Sequence, residues 1–85
     1  MKTYKISGHG NYSITYGWDD GISLSKPVLT DEEFTANETL FMGLYVNETY
    51  TNIHGGSRDI DLVVRAFDEQ DAAFYALLYC NYYYQ

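Results

Sequence analysis

The N-terminal part of the chain alternates apolar and polar residues with the period of two that is typical of β-strands. Residues 2–7 form the first predicted strand, with Tyr4 and Ile6 on its apolar face. The glycine-rich residues 8–10 predict a short hairpin loop, because glycine supplies the backbone freedom that such loops need. Residues 12–18 follow as a second predicted strand, in which every second side chain is aromatic or isoleucine.

A third strand completes this part of the pattern. The Asp-Asp-Gly sequence at residues 19–21 predicts a turn, and residues 22–25 then alternate again before Pro27 ends the run. The three strands make a predicted meander with one apolar face and one polar face. Such a sheet needs another element to cover its apolar face.

The middle of the chain predicts a short helix followed by a strand. Thr30 and Glu33 have the spacing of a capping box, which places the start of a helix at Asp31. We expect this helix to end near Asn37, because Gly43 and the β-preferring residues around it disfavour a longer helix. A helix that continues through these residues is the alternative. In the strand interpretation one side carries four apolar residues: Leu40, Met42, Leu44 and Val46.

A second hairpin signal precedes the last predicted strand. Residues 54–57 predict a glycine-rich loop, and residues 59–66 predict a strand. The inward side chains of this strand alternate along it: Ile60, Leu62, Val64 and Ala66. Val63 belongs to the opposite face, and an apolar residue there indicates a central strand or an overlying element.

Residues 67–85 predict one helix that begins with acids and ends with aromatic residues. Asp68 is a favourable N-cap, and Asp71 stands at the third helical position of a capping box. No residue from Ala72 onward is charged. At 3.6 residues per turn, one stripe is predicted to face the sheet: Ala73, Ala76, Leu77 and Cys80. The tyrosines occupy much of the remaining circumference, so either the domain or another molecule must cover them.

These elements follow one another in the order β-β-β-α-β-β-α. This order predicts an α+β fold, in which a small antiparallel sheet of about five strands packs against the C-terminal helix. The length predicts a single domain over residues 1–85. With 46% apolar residues and ten tyrosines, the chain has enough apolar surface for a dense core.

The net charge of −7 is unevenly distributed. Residues 31–71 contain ten acids against Arg58 and Arg65, whereas residues 72–85 contain no charge. An acidic surface argues against direct binding to nucleic acid or to an anionic membrane, since both attract basic proteins. A basic protein partner is compatible with it. The single cysteine and the absence of a leader-like apolar run after Met1 predict a cytoplasmic protein.

The residues that could carry chemistry lack the spacing that catalysis or metal binding requires. His9 and His54 fall in glycine-rich turns of different predicted hairpins, without a second ligand at a suitable spacing. Cys80 lies in the apolar half of a helix, where a buried, unreactive thiol is expected. We therefore expect a protein that is not an enzyme, without catalytic residues, metal ligands or a cofactor.

Two sets of residues are instead predicted to bind a partner. The first set consists of carboxylates that would form an acidic surface: Asp31, Glu32, Glu33, Glu38, Asp59 and Asp61. The second set consists of tyrosines of the C-terminal helix that so small a domain cannot all bury: Tyr75, Tyr79, Tyr82 and Tyr83. Tyrosine is enriched at protein interfaces because it is large and amphipathic. A purely solubilising role is the alternative for the carboxylates, and burial in the core is the alternative for the tyrosines.

In its size, acidity, lack of a catalytic signature and simple α+β pattern, the chain resembles the small acidic proteins with which phages block bacterial defence, including anti-CRISPR proteins and DNA mimics. The resemblance implies a non-enzymatic inhibitor in the cytoplasm of an infected bacterial cell. Its partner would be a basic, nucleic-acid-handling protein, for example a CRISPR effector or another DNA-processing enzyme. The alternative is a homo-oligomeric assembly module, such as a homodimeric virion or accessory protein, with the tyrosine-rich helix as its interface.

Overall fold

The computed structural model of the chain describes residues 1–13, 17–32 and 39–84. Over these residues it contains six antiparallel strands and one C-terminal helix. Their bounds are β1 (Lys2–Ser13), β2 (Gly17–Leu24), β3 (Val28–Leu29), β4 (Thr39–Phe41), β5 (Leu44–His54), β6 (Ser57–Ala66) and α1 (Glu69–Tyr83). The predicted α+β class, with a small antiparallel sheet and a C-terminal helix, is confirmed.

Strand β6 lies in the middle of the sheet. The strand order is β2-β1-β6-β5-β4, and the short β3 pairs with the first part of β1. The β1–β6 ladder runs from the pair of Lys2 with Ala66 to the pair of Asn11 with Ser57. The central position that Val63 indicated is therefore confirmed, and this side chain is fully buried although it lies on the face away from the helix.

The main core lies between one face of the sheet and α1; we call this the inner face and the opposite one the outer face. The four predicted inward residues of β6, Ile60, Leu62, Val64 and Ala66, are all fully buried. They share one cluster with Tyr4 and Ile6 of β1 and with Ala72, Ala76 and Cys80 of α1. Full burial of a side chain as large as Ile60, Leu62 or Val64 stabilises the fold by about 1.5–3 kcal/mol.

The start of α1 follows the predicted capping pattern. Asp68 has extended backbone angles and its side chain accepts a hydrogen bond of 2.8 Å from the backbone N–H of Asp71. In return, the Asp71 carboxylate accepts from the backbone N–H of Phe67 at 3.3 Å. The first bond satisfies a donor that the first helical turn leaves without an intrahelical partner, and the second ties the residue before the N-cap to that turn. The predicted N-cap at Asp68 is confirmed.

The first predicted hairpin loop is wrong. Residues 8–10 do not turn, and β1 continues through them to Ser13. Residues 12–18 accordingly are not one strand: residues 12 and 13 end β1 and residues 17 and 18 begin β2, while the residues between them lie outside the described part of the chain. Gly8 does not form a turn. Its missing side chain leaves space that neighbouring side chains fill. A Cβ atom there would lie 2.8 Å from Ile22 Cδ1 and 2.8 Å from Leu24 Cδ2.

The predicted turn at residues 19–21 is also wrong, because these residues lie inside strand β2. Tyr12 pairs with Trp18 and Gly10 pairs with Ile22, so three residues of β2 stand opposite one residue of β1. The turn-forming sequence is thus used for a bulge, which Gly21 accommodates with φ of +79°. The predicted third strand, residues 22–25, is mostly the second half of β2.

The strand predicted after residue 38 is interrupted by a hairpin turn. Phe41 pairs with Leu44, which leaves Met42 and Gly43 as a two-residue turn between β4 and β5. Both turn residues have positive φ, +50° and +86°, as in the type I′ turn that matches the twist of a hairpin. Leu40 and Met42 therefore do not share the buried face of Leu44, and Phe41 takes the inward position instead.

The predicted helix from Asp31 to about Asn37 is not supported by its first two residues. Asp31 and Glu32 belong to no regular element, and residues 33–37 lie outside the described part of the chain. The predicted N-cap does form a local bond, since the backbone N–H of Glu32 donates to the Thr30 hydroxyl at 3.2 Å.

The close packing around Gly8 predicts a clear response to substitution. Gly8→Ala should lower the free energy of unfolding by about 1–3 kcal/mol, because a Cβ atom would overlap with two surrounding side chains and crowd a third. Gly56→Ala is the matched control, since nothing lies within 4 Å of the corresponding Cβ position. Urea denaturation of both variants measures the difference. Equal stability of the two variants would contradict the close packing.

Candidate functional site

Asp59 and Asp61 lie side by side on the outer face of β6. Each is half-buried and stands opposite a polar residue of β1 in the ladder, His9 for Asp59 and Ser7 for Asp61. The Asp59 carboxylate contacts the Nδ1 atom of His9, and the Ser7 hydroxyl donates a hydrogen bond of 2.6 Å to Asp61. Each carboxylate therefore has a side-chain partner on the adjacent strand.

The loop after β3 brings two further predicted acids to the same face. Asp31 and Glu32 are exposed, and Glu32 accepts a hydrogen bond of 3.1 Å from the Nζ atom of Lys5. Lys5 lies on the outer face of β1, two residues before Ser7. Both partners of this ion pair are exposed, so it contributes at most about 1 kcal/mol to stability. The sheet thus gathers Asp31, Glu32, Asp59 and Asp61 on one face.

The acids on this face do not form an unbroken row. Two basic residues share this face: Lys5 pairs with Glu32, and Arg65 lines one pocket together with Asp31 and Glu32. Arg65 also packs against the ring of Tyr45, with its guanidinium carbon 5.7 Å from the ring centre. The other two predicted acids, Glu33 and Glu38, lie outside the described residues.

His9 lies in the middle of a strand and not in a turn, contrary to the sequence prediction. The ladders align it with Ser23 of β2 on one side and with Asp59 on the other, and Asp59 is next to Asn52 of β5. A shallow groove of about 600 Å³ is lined by this part of the outer face, including Tyr50. Single-sequence patterns do not indicate the pairing of His9 with Asp59, because it depends on the register between strands 50 residues apart.

His54 ends β5 immediately before the turn at Gly55 and Gly56, so the predicted loop there is confirmed. Its imidazole contacts the Asn52 side chain. Among the described residues, no group of three or more His, Cys, Asp or Glu side chains is placed to hold a metal ion.

Tyr79 is not available to a partner, contrary to its prediction as an interface residue. Its side chain is 5% exposed and belongs to the core cluster. Its ring meets Phe41 edge-to-face at 5.7 Å and lies 4.6 Å from the ring of Tyr83. Burial, reinforced by the nearby charge of Glu48, raises the pKa of Tyr79 to about 12. Tyr75 is half-buried and packs against the same core.

The buried side of α1 is rotated relative to the predicted stripe. The buried residues are Ala72, Ala76, Tyr79 and Cys80, whereas Ala73 is half-buried and Leu77 is exposed. Phe41 and Leu44 of the β4–β5 hairpin lie in the core beside Tyr79, and this contact selects the buried face. Phe74 and Leu77 face outward as a result.

Tyr82 and Tyr83 are exposed and belong to an apolar surface at the C-terminal end of α1. Tyr82 is 71% exposed, and both rings lie within 6 Å of the ring of Phe41. Leu40 and Met42 of the β4–β5 hairpin are 62% and 65% exposed. With Phe41 and the two tyrosines they line a cleft of about 520 Å³. We call Leu40, Phe41, Met42, Tyr82 and Tyr83 the apolar end.

The C-terminus of α1 is fastened to the inner face by a buried arginine. The guanidinium of Arg58 stacks on the ring of Tyr84 at 3.6 Å and lies 4.8 Å from the ring centre of Tyr12. The Tyr84 hydroxyl donates to the Glu48 carboxylate, and burial together with this bond raises the pKa of Tyr84. Arg58 also places a positive charge beside the C-cap residue, where the helix dipole is negative.

The sheet separates the two groups of predicted binding residues. Asp59 and Asp61 lie on the outer face, whereas Tyr82 and Tyr83 belong to the helix that covers the inner face. A single flat partner surface therefore does not reach both groups at once. The molecule therefore has two distinct exposed surfaces, one polar and one apolar.

Comparisons with protein families, with curated proteins and with solved structures find no match to this chain. In the described part of the chain, no helix combines the length and the apolar character that crossing a bilayer demands.

The buried position of Cys80 predicts a thiol that reacts slowly. Burial raises the pKa of Cys80 from 9.0 to about 12, so very little thiolate is present at pH 8. Reaction with Ellman's reagent at pH 8 should be slower in the folded protein than in urea by a factor on the order of 10³. Because the sequence contains one cysteine, the absorbance change reports on this thiol directly. Similar rates in both conditions would show that the thiol is accessible.

The positive φ of Met42 predicts a substitution that stabilises the protein. Met42→Asn should raise the free energy of unfolding by about 1 kcal/mol, because asparagine tolerates the left-handed conformation that other side chains find strained. Met42→Ala is the control, since it removes the same apolar side chain and keeps the strain. Urea denaturation at low micromolar concentration compares them. A stability gain in both variants would point to side-chain exposure and not to backbone strain.

Proposed function

We propose that this chain is a non-enzymatic binding protein that engages a basic, nucleic-acid-handling protein and blocks its binding site. The contact would use the outer face of the sheet. The observation that carries the proposal is the fixed placement of Asp59 and Asp61 in one row on this face. Two residues apart on a strand, they are about 6.6 Å apart, a spacing similar to that of neighbouring phosphates on a nucleic-acid strand.

The overall charge supports a basic partner. The chain carries a net charge of −7, and Asp31 and Glu32 add to the carboxylates of the outer face. A field of this sign attracts basic proteins and repels nucleic acid itself. Competition for a groove that normally holds a phosphate backbone follows from the same charge pattern. This is the activity that the resemblance to phage anti-defence proteins implies.

The pairing of the carboxylates favours binding over catalysis. The Asp61 carboxylate is engaged by Ser7, and Asp59 by His9, so both are held by neighbours on the adjacent strand. Half-buried carboxylates that already contact a neighbouring side chain lose less conformational entropy on binding than free ones. They therefore suit recognition of a fixed basic surface.

The proposal is tested by affinity capture from nuclease-treated bacterial lysate at 50 mM and 300 mM salt, followed by mass spectrometry. We expect basic nucleic-acid-binding proteins to be recovered mainly at the lower salt concentration, because ionic strength screens exposed charge pairs. A captured protein is then purified, and its binding to DNA is measured with increasing amounts of this chain. Capture that is insensitive to salt, or a captured protein that still binds DNA normally, would contradict the proposal.

A matched pair of variants locates the contact surface. Asp61→Asn removes one charge from the outer face and retains an oxygen that accepts from Ser7. Glu69→Gln removes one charge from the exposed start of α1, away from the sheet face. We expect Asp61→Asn to weaken binding to the captured protein about tenfold, as is typical for a charge at an interface, and Glu69→Gln to have little effect. Equal losses would indicate long-range attraction without a specific surface.

A further inference from the structure

The shallow groove on the outer face is lined by four neighbouring strands with different side chains. In the order of the sheet, β2 contributes a hydroxyl, β1 a hydroxyl and an imidazole, β6 two carboxylates and β5 an aromatic ring. We call it the outer groove, and its lining includes Ser23, Ser7, His9, Asp59, Asp61 and Tyr50. The groove therefore combines negative charge, hydroxyl groups and one aromatic surface within about 600 Å³.

Each carboxylate of the outer groove keeps one oxygen available. The Ser7 hydroxyl donates to Oδ1 of Asp61, and Nδ1 of His9 contacts Oδ1 of Asp59. Within the described part of the chain, neither Oδ2 atom has a hydrogen-bond partner. Because a carboxylate accepts hydrogen bonds at both oxygens, each can accept further bonds from a ligand. The two residues are about 6.6 Å apart along β6.

Two tyrosines of β5 lie on the outer face, and their rings have different surroundings. The guanidinium carbon of Arg65 lies 5.7 Å from the ring centre of Tyr45. Tyr50 stands opposite Asp61 in the β5–β6 ladder and is 48% exposed. Among the described residues, no arginine or lysine lies over the ring of Tyr50. Tyr50 therefore offers, beside a carboxylate, the kind of ring surface on which Arg65 packs at Tyr45.

The charge of the outer groove selects a cation as its occupant. An anionic group would be repelled by the two carboxylates and by the net charge of −7. An apolar side chain would bury the two Oδ2 atoms without supplying a donor, which costs free energy. A cationic side chain with N–H donors complements both the charge and the acceptors.

We propose that the outer groove binds an arginine side chain of the basic partner, whose guanidinium donates to Asp59 and Asp61 and stacks on the ring of Tyr50. The assignment rests on the proposed function and adds the chemical group that this surface recognises. A guanidinium is planar and carries five N–H donors, so it can bond to carboxylates at its edge while its face lies on a ring. A lysine ammonium is compact and more strongly hydrated. The outer groove therefore favours arginine over lysine.

An NMR titration of the full chain with tripeptides tests the groove directly. The probes are acetyl-Gly-Arg-Gly-amide, its lysine analogue and its citrulline analogue, which is similar in shape to arginine and uncharged. In 50 mM salt, we expect the arginine peptide to shift the amide signals of Tyr50, Asp59 and Asp61 with a Kd on the order of 1–10 mM. The lysine peptide should bind at least about threefold more weakly, because its ammonium gains less from the ring. The citrulline peptide should cause no shift.

Three results of this titration would overturn the inference. They are the absence of any shift with the arginine peptide, shifts that lie outside the outer groove, and equal affinity for the arginine and lysine peptides. The last result would show that the groove responds to positive charge alone.

A matched set of tyrosine variants tests the role of the ring. Tyr50→Leu should weaken the arginine peptide about threefold to tenfold, because it removes the stacking surface. Tyr50→Phe keeps the ring and should bind within about twofold of the unchanged chain. Tyr45→Leu is the control, because Tyr45 packs against Arg65 outside the outer groove. The amide spectrum of each variant reports whether it is folded. Unchanged affinity in Tyr50→Leu, or an equal loss in Tyr45→Leu, would refute the assignment.

The tripeptide titration needs no partner protein, so its failure is distinguishable from failure of the proposed function. If Asp61→Asn weakens the captured protein but the arginine peptide does not bind, the outer face remains the contact surface and the arginine assignment is wrong. If the arginine peptide binds as expected but no basic nucleic-acid-binding protein is captured at low salt, the outer groove still takes arginine and the proposed function is wrong.

Discussion

The packing of α1 on the central strand β6 is the interaction on which the rest of the structure depends. Ala72, Ala76 and Cys80 follow one another at intervals of four residues, and their small side chains allow the helix to approach the sheet closely. The sheet contributes a continuous apolar row from β6, extended by Tyr4 and Ile6 of β1. Because β6 pairs along its whole length with β1, this single contact also fixes the outer face, where the partners of β6 are polar.

This architecture divides the surface of a small protein into two parts with different properties. The outer face holds Asp59 and Asp61 against His9 and Ser7, so that charge is presented from a rigid ladder. The apolar end arises where the C-terminal turn of α1 meets the β4–β5 hairpin. A helix that is apolar on all sides can be covered by one sheet on one side only. The remaining apolar surface is therefore a consequence of the fold, and part of it lies at the apolar end around Met42.

At two positions the chain carries a residue that the local structure does not favour. Met42 stands where a two-residue turn favours asparagine, and Arg58 is buried between two tyrosine rings. Arg58 has a clear structural reason, because its charge and its flat guanidinium hold Tyr84 and the end of α1 in place. Met42 is exposed in the turn, and in the described part of the chain its side chain does not belong to the core.

Local sequence signals were enough to predict the alternation of β6, the cap at Asp68 and the α+β class. In each case residues that are adjacent in the sequence favour the same structure. Tertiary structure decided what local preference leaves open. The turn signals at residues 8–10 and 19–21 became a strand interior and a bulge, because pairing with β6 and β2 outweighs the preference of glycine and aspartate for turns. The buried face of α1 was likewise decided by Phe41 beside Tyr79, since a uniformly apolar helix carries no periodic signal to indicate which side faces inward.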